Sequence, residues 1–140
     1  MRFTRIKYSE LDGKQQEIYN FQQASAILAD YGFAIIKLDY DWQGADFIAQ
    51  HKNGETFLKV QLKSRLTFAK KYENKSIQIC FPDPSDPDEG QRDWYLFDHD
   101  KLLINKYFLE KIKKTYDKVR YWSSPGLTSK DQEILSSYRL

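Results

Sequence analysis

The feature that most constrains the fold is a pair of extended segments around Asn53-Gly54, a dipeptide typical of tight hairpin turns. Residues 45–52 before the turn and residues 55–65 after it each predict a strand. In the second segment every other side chain is apolar, and these are Leu58, Val60 and Leu62. Because side chains in a strand alternate between the faces of its sheet, one face of this strand is predicted to lie against the core.

The opposite face of this strand carries a row formed by Phe57, Lys59, Gln61 and Lys63. If Asp46 on the paired strand points the same way, its carboxylate lies near the amide oxygen of Gln61 and the ammonium of Lys63. A carboxylate, an amide oxygen and a backbone carbonyl are hard oxygen ligands that suit Mg²⁺. A neighbouring lysine can orient a water and offset phosphoryl charge, so the pattern outlines a site for phosphodiester hydrolysis. The competing interpretation is a surface ion pair between Asp46 and Lys63, contributing about 0–1 kcal/mol.

A long helix is predicted before the hairpin. Asp12 and Gln15 have the spacing of a capping box, and Gly32 is typical of a helix end, so the helix should span about 13–30. Its buried stripe is expected to contain residues at three- and four-residue steps, namely Ile18, Phe21, Ala24, Ser25 and Leu28. Further strands are predicted at 33–38, which should be buried, at 76–81 and at 93–98, and helices at about 101–116 and from Ser129 onward.

The whole chain of 140 residues fits one domain. Residues 1–11 are expected to form an N-terminal arm, 12–98 the core and 99–140 a C-terminal helical region. The expected fold class is α/β, with a central mixed sheet of about five strands. The single cysteine excludes an internal disulfide, and no apolar stretch approaches the ~20 residues of a membrane helix. Since the first residues contain no apolar signal core, we expect a cytoplasmic protein.

The order of helix, strand, strand bearing Gly-x-Asp, hairpin and strand ending in Gln-x-Lys resembles the PD-(D/E)XK nuclease superfamily. Its layout is most similar to restriction-endonuclease-like and Holliday-junction-resolvase-like members, and the resemblance covers about residues 15–97. It implies a restriction-endonuclease-like core and a Mg²⁺-dependent (or Mn²⁺-dependent) endodeoxyribonuclease. By position, Asp46 and Gln61 would hold the metal and Lys63 would assist hydrolysis. An acid on the first helix often completes such sites, and Glu17 is the candidate here, with Asn20 as the alternative.

Gln61 stands where that family usually has Asp or Glu, and a neutral ligand removes one negative charge from the metal site. Two functional interpretations therefore stay open. In the first, the chain is a metal-dependent nuclease acting on DNA. In the second, it is a catalytically inactive nuclease-fold protein that serves as a nucleic-acid or protein interaction module.

Basic residues cluster next to this candidate site. Residues 59–75 contain six lysines and arginines against one acid, and a run of this kind can follow a phosphate backbone. The predicted DNA contacts are Lys59, Arg65, Lys70 and Lys71. A second basic cluster at 101–120 is interpreted as a solvated helix face. A domain of this size often pairs to reach both DNA strands, so a homodimer is expected, with the aromatic C-terminal region as its interface.

Overall fold

The computed structural model describes residues 1–85, 87–88 and 91–140, and all of their side chains except those of Asp41 and Trp42. The elements in chain order are α1 (Gly13–Asp30), β1 (Phe33–Trp42), β2 (Ala45–His51), β3 (Phe57–Leu62), β4 (Thr67–Ala69), β5 (Ile77–Pro82), β6 (Trp94–Asp98), α2 (His99–Leu103), α3 (Lys106–Val119), β7 (Tyr121–Ser123) and α4 (Ser129–Leu135). Short 3-10 helices occur at Tyr8–Glu10, Lys70–Tyr72 and Ser136–Tyr138.

The central sheet has five strands in the order β1-β2-β3-β5-β6. The pairs β1-β2, β2-β3 and β5-β6 are antiparallel, and β3-β5 is parallel. This mixed α/β sheet, with its long N-terminal helix and helices in the C-terminal part, confirms the expected fold class at that level. A separate small sheet pairs β4 with β7.

Two apolar clusters lie on the two faces of the central sheet. The first joins α1 to the face that carries Phe47 and Val60, and it includes Ala24 and Leu28. The second lies on the face of Ile79 and includes residues of β4, α2, α3 and α4. Since the second cluster mixes residues before and after position 98, the core and the C-terminal region predicted from the sequence are packed together. The predicted inward row of β3 is confirmed, because Leu58, Val60 and Leu62 all belong to the cluster with α1.

The sequence signals at both ends of α1 are confirmed. Asp12 and Gln15 form a reciprocal capping box. Gly32 follows the helix with φ +85°, a conformation that glycine adopts without steric cost. The predicted stripe is wrong at Ile18, which is 44% exposed, while Asn20, Ala24 and Leu28 are the buried residues of the helix.

The predicted hairpin of β2 and β3 is confirmed, but the two-residue turn lies one connection earlier, between β1 and β2. Gln43-Gly44, with φ +57° and +84°, joins β1 directly to β2. Two consecutive positive φ angles are the mark of the type I′ turn that suits the twist of a hairpin. The predicted turn at Asn53-Gly54 is instead part of a five-residue connection, 52–56, because the Asn53 side chain accepts hydrogen bonds from the backbone N–H groups of Glu55 and Thr56.

Strand β1 differs from its prediction in length and burial. It extends to residue 42 rather than 38, and it forms one edge of the sheet. Phe33 and Ile35 pack against the cluster with α1, but Ile36, which the alternation places on the other face, is 51% exposed although the predicted strand is almost wholly apolar. Its pairing with β2 is irregular between Lys37 and Trp42, where residues 38–41 of β1 stand opposite the single residue Asp46 of β2, so β1 forms a bulge there.

The segment 66–75, which lies between the predicted strands 55–65 and 76–81, contains β4 and a 3-10 helix, because β4 pairs with β7 more than fifty residues later. The helix predicted at 101–116 is divided into α2 and α3. The second of these begins where the Asn105 side chain accepts from the backbone N–H groups of Tyr107 and Phe108. The C-terminal region is therefore not purely helical.

The chain ends predicted to be an arm and an interface are partly used for internal packing. In the arm, Phe3 and Ile6 are 89% and 63% exposed, so these two side chains do not pack on the rest of the domain. Tyr8 does pack, with its ring at the edge of Tyr19. Near the C-terminus, Trp122 lies against the second apolar cluster. No helix in the described part of the chain has both the length and the apolar character needed to cross a membrane.

Candidate functional site

A cavity of 460 Å³ opens between α1, the bulged part of β1 and the end of β3. Leu38, Asp39 and Tyr40 of the bulge lie in its wall, so the interruption of the β1-β2 pairing borders the opening. Its walls include all four residues that the sequence singled out for chemistry, namely Glu17, Asp46, Gln61 and Lys63. The fold thus gathers side chains from one helix and two strands around a single opening.

Asp46 lies at the point where the β2-β3 ladder stops. The last pair in the ladder is Phe47 with Val60, and one step further Asp46 stands opposite Gln61. Opposed residues in an antiparallel pair project from the same face of the sheet. Beyond the last ladder pair, the Asp46 side chain replaces a backbone partner, since its Oδ2 accepts a 2.8 Å hydrogen bond from the Leu62 backbone N–H. This contact fixes the carboxylate to the end of β3.

Gln61 is the most unusual polar residue in the cavity wall. It lies on a central strand beside Ile79 of β5 and is only 6% exposed. Its Oε1 atom is buried and receives no hydrogen bond from the residues that the structure describes. A buried acceptor without a donor costs about 1–3 kcal/mol, so such atoms are rare and suggest a missing cation or donor.

Lys63 directly follows β3 and is held there by its backbone N–H, which donates to the Cys80 carbonyl at 2.9 Å. Its ammonium nitrogen is 5.5 Å from the centroid of the Tyr72 ring. A lysine at this distance from an aromatic ring is attracted by the negative face of the ring. Tyr72 itself is fully buried, so the ring gives one side of the lysine a rigid neighbour.

The two candidates on α1 differ in what already binds them. Glu17 lines the cavity with a side chain that is 72% exposed, and it forms an i,i+3 ion pair with Lys14 at 3.2 Å. Asn20 also lines the cavity and is 5% exposed. Its amide oxygen accepts from Arg92, and its amide nitrogen donates to the Tyr8 hydroxyl. Because the polar atoms of Asn20 are committed to these contacts, Glu17 is the α1 side chain better placed to adjust toward a ligand.

The cavity is also lined by three charged residues that were not predicted from the sequence, namely Lys14, Lys37 and Asp39. Lys14 stands one helical turn before Glu17, so helical spacing could have identified it. Lys37 is the last paired residue before the β1 bulge and Asp39 lies within the bulge, which no local sequence pattern marks. The ammonium of Lys37 is 5.0 Å from the Phe21 ring centroid, a contact that ties β1 to α1.

The four predicted DNA-contacting residues have different environments. Arg65 is exposed beyond the end of β3, and Lys59 is partly buried on the same face of that strand as Gln61. Lys70 is engaged elsewhere, with Asp117 at 3.7 Å and the Tyr116 ring centroid at 4.5 Å. Lys71 is exposed, and its ammonium is 5.1 Å from the Tyr72 ring centroid.

The donor set suits a divalent cation that keeps much of its own water. Asp46 supplies a carboxylate, and Gln61 supplies a buried oxygen that lacks a donor. Mg²⁺ is typically bound through one or two carboxylates together with waters and substrate phosphates, and Asp46 supplies one such carboxylate. Within residues 1–85, 87–88 and 91–140, no three His, Cys, Asp or Glu side chains cluster closely enough to enclose a metal by themselves. An open, substrate-assisted site therefore fits these residues better than a closed structural one.

Comparisons of the chain with models of protein families, with curated proteins and with solved structures find no match. The chemistry of the cavity is therefore interpreted from its own residues.

Proposed function

We propose that the chain is a metal-dependent nuclease of the PD-(D/E)XK type that hydrolyses DNA phosphodiester bonds in this cavity. The observation that carries the proposal is the buried Oε1 of Gln61, which lacks a hydrogen-bond donor and lines the same cavity as Asp46 and Lys63. A cation, whose charge attracts both oxygens, would satisfy the Gln61 oxygen and draw on the negative charge of Asp46. The order of α1 and the first three strands supports the same assignment.

In the proposed reaction each residue has a distinct task. Asp46, oriented by the Leu62 N–H, would hold Mg²⁺ together with the Gln61 oxygen. The chemistry supplied by the bound cation is polarisation of a phosphoryl oxygen and activation of a water. The Lys63 ammonium, beside the Tyr72 ring, would offset the negative charge that develops on the phosphoryl group. Glu17, at the rim, would orient a water or add an outer contact to the cation.

Cleavage assays with point variants test this proposal. Labelled single-stranded, duplex and branched DNA would be incubated with the wild type and Mg²⁺ or Mn²⁺. Lys63→Ala and Asp46→Asn should lose metal-dependent cleavage, and an amide at position 46 keeps an acceptor for the Leu62 N–H. Lys113→Ala, on the exposed surface of α3, is the matched control and should cut normally. Equal cleavage by wild type and Lys63→Ala would refute the assigned role of this lysine.

A second candidate is a nuclease-fold module that binds nucleic acid or protein without cutting. It is favoured by the neutral residue at position 61 and by the absence of a three-carboxylate or histidine cluster in the described residues. Binding of DNA by both wild type and Lys63→Ala, with no cleavage by either under any divalent ion, would select this candidate.

A further inference from the structure

A small notch lies next to the cavity and is lined by Gln43, Gly44, Lys71 and Lys75. Two of its walls are lysines, and the third is the type I′ turn that joins β1 to β2. None of these residues lines the cavity described above. The notch is therefore a basic surface distinct from the cavity, close to the chain segment that leads into Asp46.

The Tyr72 ring lies near a lysine of the cavity and a lysine of the notch. Lys63 lines the cavity and its ammonium is 5.5 Å from the ring centroid, while Lys71 lines the notch and its ammonium is 5.1 Å from the same centroid. Because both distances end at one centroid, the two nitrogens are no further apart than the sum, 10.6 Å. The ring also contacts the turn closely, since a Cβ added to Gly44 would lie 3.0 Å from Tyr72 Cδ1.

Backbone strain is concentrated around this notch. Four non-glycine residues in the described chain have positive φ angles, and three of them are Gln43, Asn74 and Ser76. The last two flank Lys75 directly, and the Asn74 backbone N–H is anchored to the Asp100 carboxylate at 2.8 Å. Left-handed backbone is unfavourable for residues with a side chain, and it persists where the surrounding structure enforces a particular placement. Here the strained positions present Lys75 beside Lys71.

Building on the proposed nuclease function, we infer that the notch binds a phosphate of the substrate strand that flanks the phosphate in the cavity. A nucleic-acid strand carries one phosphate per ~3.4 Å of helix axis, so neighbouring phosphates can occupy both places within the spacing of Lys63 and Lys71. Lys71 and Lys75 supply the positive charge, and the Gln43-Gly44 turn forms the remaining wall. The preferred substrate is then a polynucleotide with phosphates on both sides of the cut, rather than an isolated phosphodiester.

The inference is tested by binding measured separately from cleavage. Fluorescence anisotropy with a labelled 12-nucleotide strand and its duplex, in EDTA and over a series of NaCl concentrations, gives the salt dependence of affinity. The Lys71→Ala/Lys75→Ala double variant should reduce the slope of log K against log[NaCl] by about 1.8 on duplex and about 1.4 on single strands. Lys113→Ala/Lys114→Ala removes the same charge from the exposed face of α3 and should leave the slope unchanged.

A scan with single methylphosphonate linkages locates the contacted phosphate. Neutralising one linkage beside the cleavage position should weaken binding by the wild type and have no further effect on the Lys71→Ala/Lys75→Ala variant. An unchanged slope in that variant, or an equal change in the α3 control, overturns the inference even if the wild type cuts DNA. A reduced slope without metal-dependent cleavage by any variant would instead overturn hydrolysis and leave the notch in place. A wild type that binds neither DNA form in EDTA and cuts neither with Mg²⁺ or Mn²⁺ overturns both.

Discussion

Replacing Gln61 by methionine is expected to stabilise the fold and to abolish metal-dependent cleavage. The side chain is 6% exposed, and its Oε1 is buried without a donor, which costs about 1–3 kcal/mol in the absence of a cation. Methionine is unbranched and adaptable, so it can fill the same space without a polar atom to satisfy. Allowing for imperfect packing, the free energy of unfolding should rise by about 1 kcal/mol, or about 3 °C in the melting temperature.

The assay is urea unfolding followed by fluorescence, in EDTA and in excess Mg²⁺. Mg²⁺ should stabilise the wild type, by about 2.7 kcal/mol at a concentration one hundred times its dissociation constant, and should not stabilise Gln61→Met. Gln61→Glu should be destabilised in EDTA, because it buries a second carboxylate, and should recover in Mg²⁺ more than the wild type gains. Of the two Gln61 variants, only Gln61→Glu should retain metal-dependent cleavage.

Gln78→Met is the matched control for this series. The Gln78 amide on β5 donates to the Asp98 carboxylate at 3.4 Å, so removing it should lower stability slightly, by about 0.5–1.5 kcal/mol. If Gln61→Met proves destabilising by the same amount, the Gln61 oxygen is already satisfied in solution, and the reasoning that assigns it to a cation fails.

Three further outcomes follow from buried or strained residues. Burial opposes the ionisation of Asp131, yet the hydrogen bonds it accepts, two of them from Lys111, hold its pKa below the usual 3.8. The stabilisation from the lowered pKa of folded Asp131 is present above pH 3.8 and is lost as pH falls through that lowered pKa, so the urea midpoint should drop in this range. Asp131→Asn should make the urea midpoint less dependent on pH there. Asp131→Ala should lower the free energy of unfolding by about 3 kcal/mol at neutral pH. Gly44→Ala should lower the free energy of unfolding by about 2–3 kcal/mol, because the new Cβ meets Tyr72 closely and the φ angle is unfavourable for alanine. Gly54→Ala is the control, since it has an unfavourable φ angle but no close contact, and it should lower the free energy by about 1 kcal/mol. Equal losses of both variants in urea unfolding would contradict the close contact at Gly44. Burial raises the pKa of Cys80 to about 12, so its thiol should react with a disulfide reagent at pH 8 far more slowly in the native chain than in urea, and similar rates would show that the site is open.

Local patterns identified the parts of the fold that local interactions form. The capping box at Asp12 and the glycine at position 32 bound α1 as expected, since both act on neighbouring backbone groups. The alternation in β3 correctly separated the core-facing Leu58, Val60 and Leu62 from the face of Gln61. The pairing of β4 with β7 could not be predicted from such local patterns, because the two strands are far apart in the chain and each has only three residues.

The candidate site shows the same division. The sequence by itself determined that Asp46, Gln61 and Lys63 could share one face, because strand periodicity is fixed by the pleat of the backbone. Only the tertiary structure decided that β1 bulges beside the cavity and that the Gln61 oxygen is buried without a donor. It also decided which side chains around the site are already engaged, as Asn20 is by Arg92. These properties depend on packing between segments distant in sequence, and no short pattern encodes them.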